Sequence, residues 1–204
     1  MLSIKQLYFF KNKMLKEKEV KLRQVRDDVV DCQKCSLYKT RIFPVIGQGS
    51  HSAKIMFIGE APGAQEDKTG IPFCGASGKF LDELLNSAGI KREEVYICNL
   101  LKCRPPGNRD PKSEELEVCT PYLEKQIEAI NPKIISPLGR HSMNFLMKKF
   151  NLVEQIDLIS KIHGKIFNIE NNIKLVPLYH PAVAVYNANM KEVLIKDFEI
   201  LKAI

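Results

Sequence analysis

With 204 residues and an apolar share of 45%, the chain is long enough for one well-filled domain and not clearly for two. Basic side chains outnumber acidic ones by 31 to 24, a formal charge of +7 that favours polyanionic partners such as nucleic acid without requiring one. No apolar run reaches the roughly 18–20 residues of a membrane span, and the lysine-rich start lacks the uncharged core and cleavage site of a signal peptide, so a cytoplasmic protein is expected.

Residues 1–20 interleave lysines with Leu, Tyr, Phe and Met and are expected to form a helical extension ahead of a domain over residues 21–204. From Val20 to Val30 the spacing of Leu22, Val25, Val29 and Val30 fits one helix face, which runs into the turn "DCQKCSLYKTR". Four short apolar runs follow: "KIMFIG" (54–59), "VYICNLLKC" (95–103), "KIISPLG" (133–139) and "KLVPLYH" (174–180). They are continuous rather than alternating, the pattern of parallel strands covered on both faces. Helical patterns separate them. "KFLDELLNSAGI" aligns Phe80, Leu81, Leu84, Leu85 and Ala88 and stops at Gly89, while "SEELEVCTPYLEKQIEAI" opens with Ser113 as the expected N-cap. "RHSMNFLMKKF" and "KEVLIKDFEILKAI" add two helices, and "KIHGKIFNIENNIKLV" reads as a hairpin turning at "ENN". This alternation implies an α/β fold, a parallel sheet with helices on both sides.

In such a sheet, ligands bind beyond the carboxyl ends of the strands. Three features fall there: the Gly59–Glu60 loop after the first run, Asn99 to Cys103 late in the second, and His180–Pro181 ending the fourth. The loop "IGEAPGAQEDKTGIPFCGASGKF", from Ile58 to Phe80, is far longer than a corner needs and is expected to wrap a ligand.

Cys32 and Cys35 form a C-x2-C pair, and Cys103 and Cys119 follow with fifteen residues between them. In a cytosolic chain such cysteines favour metal ligation or the core over disulfides. Four thiolates suit tetrahedral zinc or an iron–sulfur cluster. The wide second pair leans towards a [4Fe–4S] cluster, because zinc ribbons use two close knuckles. Cys98, inside an apolar run, reads as a buried small hydrophobe and Cys74 as a loop thiol without a role.

"GEAPGAQEDKTGIPF.G..GKFLDELL", "NLLKCRPPGNRDP" and "YHPA" resemble the motifs of the family 4 uracil-DNA glycosylases, iron–sulfur enzymes of bacteria and archaea. The match runs in the family's order from about Val20 to the C-terminus, and Cys32, Cys35, Cys103 and Cys119 fall where that family carries its cluster ligands. The resemblance implies a three-layer α/β/α sandwich with a central four-stranded parallel sheet. It also implies a monomeric, monofunctional enzyme that removes uracil from DNA, and a structural rather than redox-active [4Fe–4S] cluster.

Carried over residue by residue, the resemblance makes Phe73 the aromatic wall for a base flipped out of the stack. It makes Asn99 the uracil reader, whose amide offers a donor and an acceptor side by side to uracil's carbonyl and ring N–H, the reverse of cytosine's order. His180 becomes the donor that stabilises charge on the departing base. Glu60 and Ala61 are expected near the uracil, Glu66 where thymine's methyl would lie, and Glu60 also as a water-positioning group. Ala61 occupies the place where another uracil glycosylase family has a water-orienting aspartate, which implies a largely dissociative reaction. Gly75, Ser77 and Gly78, at the start of a helix, are expected against a DNA phosphate. Arg104 and Arg109 are expected on the backbone, or alternatively in ion pairs with Glu114 or Glu115. Val183, Val185 and Tyr186 depart from the family's leucine pair and arginine, so the wedge that props the stack open would be weaker or use Tyr186 instead. Asp67 and Lys68 read as solvated loop residues, and His51, His141 and His163 as ordinary surface or loop histidines.

Two other readings compete. One is a non-catalytic iron–sulfur nucleic-acid-binding module akin to domains fused to phage polymerases, against which the intact Asn99 and His180 argue. The other is a redox carrier. A covalent uracil-trapping relative carries an extra basic loop after the second motif, and "CRPPGNRDPKSEE" has none.

Overall fold

The structure, a computed structural model, describes residues 4–203. Six strands form one sheet: β1 (Gln48–Gly49), β2 (Ile55–Gly59), β3 (Tyr96–Asn99), β4 (Ile134–Pro137), β5 (Phe167–Ile169) and β6 (Ile173–Leu175), in the order β1-β3-β2-β4-β6-β5. The four expected runs make its parallel centre, β3-β2-β4-β6. Antiparallel β1 and β5 extend that centre to six strands where four were expected. Neither edge has a parallel-strand signature. β1 is a two-residue Gln-Gly segment, and β5 is the outer half of the hairpin that turns at "ENN".

Helices cover both faces, giving the three-layer sandwich. On one side pack α1 (Ile4–Val30), α4 (Ser113–Ile130), α5 (Arg140–Lys149) and the short α6 (Ile159–Ile162); on the other lie α3 (Ala76–Ser87), α7 (Ala182–Tyr186) and α8 (Lys191–Ala203). The pleat divides each strand between the layers. Met56, Ile58, Tyr96, Cys98 and Ile135 face the first, and Phe57, Ile97 and Ile134 the second. Phe57 stacks on Phe198 of α8 with ring centroids 5.5 Å apart. Burying one such side chain contributes about 2–3 kcal/mol.

Three sequence expectations shift here. α1 runs unbroken through residues 20 and 21, so the expected extension boundary falls inside a helix; residues 1–3 lie outside the described residues. Lys18 Nζ donates to Ile130 O at 2.7 Å and Lys21 pairs with Glu128 at 2.8 Å, fastening this helix to α4. Val30 is exposed, off the buried face of Leu22, Val25 and Val29. Ser113 is the first helical residue rather than the cap: Lys112 caps α4, and its N–H donates to the Glu115 carboxylate at 2.9 Å. Among the described residues no helix is long and apolar enough to cross a membrane.

Sheet register brings the chemical residues together. Gly59 pairs with Asn99, and the ladder continues as Leu100 and Leu101 donate to the carbonyls of Gly59 and Glu60, each at 3.0 Å. On the other side of β2, Gly139 N–H donates to Leu178 O at 2.8 Å, bringing the chain before His180 alongside.

Candidate active site

A cleft of about 320 Å³ opens over the carboxyl ends of β2 and β3, and Glu60, Ala61, Glu66, Phe73, Ser77, Asn99, Arg109 and His180 are among its lining residues. Asn99 ends β3 and is 2% exposed. No protein group among the described residues takes up its side-chain hydrogen bonds, so both its donor and its acceptor are free for a ligand.

His180 reaches the same cleft from the segment after β6. Its Nδ1 accepts the Ala182 N–H at 3.1 Å, which leaves the proton of the neutral ring on Nε2. Burial pushes its pKa down to about 4, against a smaller opposing pull from Glu66. The ring is therefore a neutral donor at ordinary pH. Phe73 stacks on it with centroids 5.5 Å apart and planes 30° from parallel.

Phe73 has φ +49°, a left-handed conformation costly for a bulky residue and characteristic of functional loops. Two features hold it there. A Cβ on Gly78 would collide with the Phe73 carbonyl, so only glycine lets α3 start this close. Arg92 donates through Nη2 to Pro72 O at 2.8 Å and Phe73 O at 3.2 Å, and through Nη1 to Asp82 at 2.7 Å. Gly59 does the same service below. A Cβ there would strike Asn99 Oδ1 and sit 2.8 Å from Phe73 Cζ.

The acids of the loop divide by role. Glu66 braces the loop, its Oε1 accepting the N–H groups of Cys74 and Gly75 at 3.0 Å each. Asp67, expected to be a solvated acid, is 4% exposed and accepts the Ile42 N–H at 3.1 Å, pinning residues 41–43 to α2 (Ala64–Thr69). Glu60 faces the cleft, and burial raises its carboxyl above the usual range. His141, expected to be ordinary, stands beside it: its Nε2 is 3.9 Å from Glu60 and 3.4 Å from Asp110. His163 is also engaged, bonding Asp197 at 2.8 Å and packing on Tyr179, which anchors α8.

The chain matches the family model of the uracil DNA glycosylase superfamily over residues 46–202. It belongs to that superfamily. Among curated proteins it is 50% identical to a type-4 uracil-DNA glycosylase of Saccharolobus solfataricus, covering 87% of this chain and 83% of the relative. It is 44% identical to the type-4 enzyme of Sulfurisphaera tokodaii, covering 89% and 83% of the two chains. The type-4 enzyme of Archaeoglobus fulgidus is 45% identical, with 84% and 87% covered.

On this superfamily member's expected DNA face the structure sorts the candidates. Ser77 lines the cleft, but Gly75 spends its N–H on Glu66. Gly78 is buried with its N–H on Gly75 O, so its place is in packing against Phe73 rather than on a phosphate. Arg109 realises the expected alternative, bonding the buried Glu115 carboxylate through both terminal nitrogens at 2.9 and 2.6 Å, yet still borders the cleft. Arg104 donates to Asn108 at 2.7 Å. Tyr186, at the end of α7, is 89% exposed.

Cys32, Cys35, Cys103 and Cys119 line one cavity with Leu37, Arg41, Lys102 and Tyr122, between the end of α1, the end of the β3 run and α4. All four are free thiols. Arg41 Nη1 donates to Cys103 Sγ at 3.3 Å and the Lys102 N–H to Cys119 Sγ at 3.3 Å. Burial raises the Cys35 and Cys103 thiols and pushes Cys119 up to about 11. Cys98 is fully buried in the core, as expected.

Proposed function

We propose that the chain excises uracil from DNA as a step of DNA repair, with the flipped base seated in the Phe73–Asn99–His180 cleft. The observation that carries this reading is the convergence of an unpartnered amide, a neutral Nε2–H and an aromatic face on one cleft. Phe73 offers a stacking wall, and Asn99 pairs with the ring N–H and carbonyl edge. His180 donates to the carbonyl beside the leaving nitrogen. As the glycosidic C–N bond breaks, its electron pair leaves on the base, where the imidazole hydrogen bond strengthens as charge develops. Water then adds to the cation-like sugar carbon and its released proton ends on the departing uracil anion, leaving an abasic site and neutral uracil. Glu60, which lines the cleft with a raised carboxyl, is our candidate for orienting that water.

Ser77, Arg104, Arg109 and Tyr186 are the proposed DNA contacts, the tyrosine as wedge. Cys32, Cys35, Cys103 and Cys119 fit a [4Fe–4S] cluster. All four line one cavity, and the fifteen residues between Cys103 and Cys119 set this donor set apart from the two close knuckles of a zinc ribbon. Two N–H···S donors already face the site. When bound, the cluster would cross-link three segments of the fold rather than take part in the chemistry.

The test is an oligonucleotide with one uracil, treated with the protein and then with alkali. Cleavage at uracil and none at thymine is expected, with activity lost in Asn99→Ala and His180→Ala. Full activity in both variants would refute the site. Binding without cleavage by the wild type would favour a non-catalytic module instead.

A further inference from the structure

Three segments bring charged groups to one point beside the cleft, and the reaction above uses only one of them. Glu60 follows β2, Asp110 lies in the loop between β3 and α4, and Arg140 and His141 open α5 after β4. A carboxylate oxygen from each acid and a ring nitrogen of His141 all lie within 4.8 Å of one another. His141 Nε2 is 3.9 Å from Glu60 Oε2 and 3.4 Å from Asp110 Oδ2, and Arg140 Nη2 is 4.0 Å from that same Asp110 oxygen. A guanidinium only donates, so the 2.9 Å contact of Arg140 Nη2 with His141 Nε2 makes the ring nitrogen an acceptor and puts the neutral ring's proton on Nδ1. The lone pair that a metal ion would need there is taken.

His141 thus stands between one cation and two acids. While neutral, the ring holds the Arg140 guanidinium; with a proton on Nε2, it becomes a donor facing Asp110 and Glu60 and carries the charge itself. A positive charge stays beside Glu60 in both states. Burial pushes the Glu60 carboxyl towards its neutral form, and this neighbouring charge opposes the push. The difference matters to water, because a carboxylate only accepts hydrogen bonds whereas a protonated carboxyl also donates one. We propose that His141 is a positioning residue for the attacking water, holding the Glu60 carboxylate ready to accept from it, with Arg140 supplying charge through the ring. This inference rests on the uracil-excision reading above and on Glu60 as the group that orients the water.

A residue that acts through Glu60 moves the acid limb of the reaction, which a packing role does not. The charged or titratable groups bearing on Glu60 are His141, Asp110 and Arg140. Loss of His141 or Arg140 removes a positive neighbour, so Glu60 takes up its proton at higher pH and more of the rate is gone in acid. Loss of the Asp110 charge does the reverse. The test is single-turnover excision of uracil by the full chain at about pH 5 and about pH 8, scored as the ratio of the second rate to the first. Asp110 and Arg140 are exposed and screened by solvent, so changes of about threefold are expected, the size of an exposed ion pair's effect. The ratio should rise in His141→Leu and in Arg140→Met and fall in Asp110→Asn. Combined with Glu60→Gln, which has no carboxyl left to titrate, His141→Leu should leave the ratio where Glu60→Gln alone sets it. Thermal transitions establish that each variant is folded, and should His141→Leu fail to fold, Arg140→Met decides in its place. The parental ratio in the deciding variant, a rise in Asp110→Asn, or a change that persists with Glu60→Gln would overturn the proposal while excision by the parent chain stands. A parent chain that excises no uracil would overturn the functional reading and this inference with it.

Discussion

His180 has its two ring nitrogens committed to different tasks, one to the Ala182 N–H and the other to the cleft. With its pKa near 4, the ring stays a neutral donor through the range where an ordinary histidine would titrate. Glu60, raised by burial, is the group expected to protonate first as pH falls. The excision rate should therefore drop on an acid limb set by Glu60, with no break near pH 6.5, and Glu60→Gln should flatten that limb in a pH–rate profile. For stability the sign is equally fixed. The unfolded chain protonates His180 below about pH 6.5 while the folded chain resists until about 4, so this residue's contribution to stability falls as acid is added. At this scale the sequence is informative where a residue's type carries its task. Asn99, His180 and Phe73 stood out from the motifs around them, and the structure brings all three to one cleft. Asp67 and His141 did not, because an acid and a surface-type histidine acquire meaning only from burial and from partners 25 or more positions away.

At the scale of elements, the long loop after β2 owes its shape to bonds with its own side chains and to one outside brace. Arg92 holds the Pro72 and Phe73 carbonyls while pairing with Asp82 of α3. Without it the left-handed Phe73 can relax, and the stacking wall would turn from the cleft. Arg92→Ala is expected to raise KM for uracil-containing DNA several-fold more than it lowers kcat, and to cost about 1–3 kcal/mol of stability in denaturant unfolding. The helices were legible because their apolar residues repeat with the right period, and the central strands because theirs run unbroken. Edge strands β1 and β5 were less so, since two or three residues of polar or mixed character become strands only through the neighbour they pair with.

Over the whole molecule, the cysteine cavity sits where α1, the end of the β3 run and α4 meet, and Ala61 of the cleft loop packs against the same cluster of side chains. Without the proposed cluster, four separate thiols supply no cross-link there. Loss of the proposed cluster's iron through chelation or oxidation is expected to lower the thermal transition by several degrees and uracil excision with it, as read by calorimetry and iron assay. Cys103→Ala should reproduce both effects. The four cysteines were visible in the sequence as a spaced set; that they line one cavity follows from the fold.

The most direct measurement is a crystal structure of the chain with an oligonucleotide carrying one 2′-fluoro-2′-deoxyuridine, whose glycosidic bond resists cleavage. The expected result is the uracil turned out of the helix onto Phe73, its ring N–H and carbonyl on the Asn99 amide, and His180 Nε2 within hydrogen-bond reach of the carbonyl beside the sugar. A base left in the stack, or lodged away from these three residues, would contradict it.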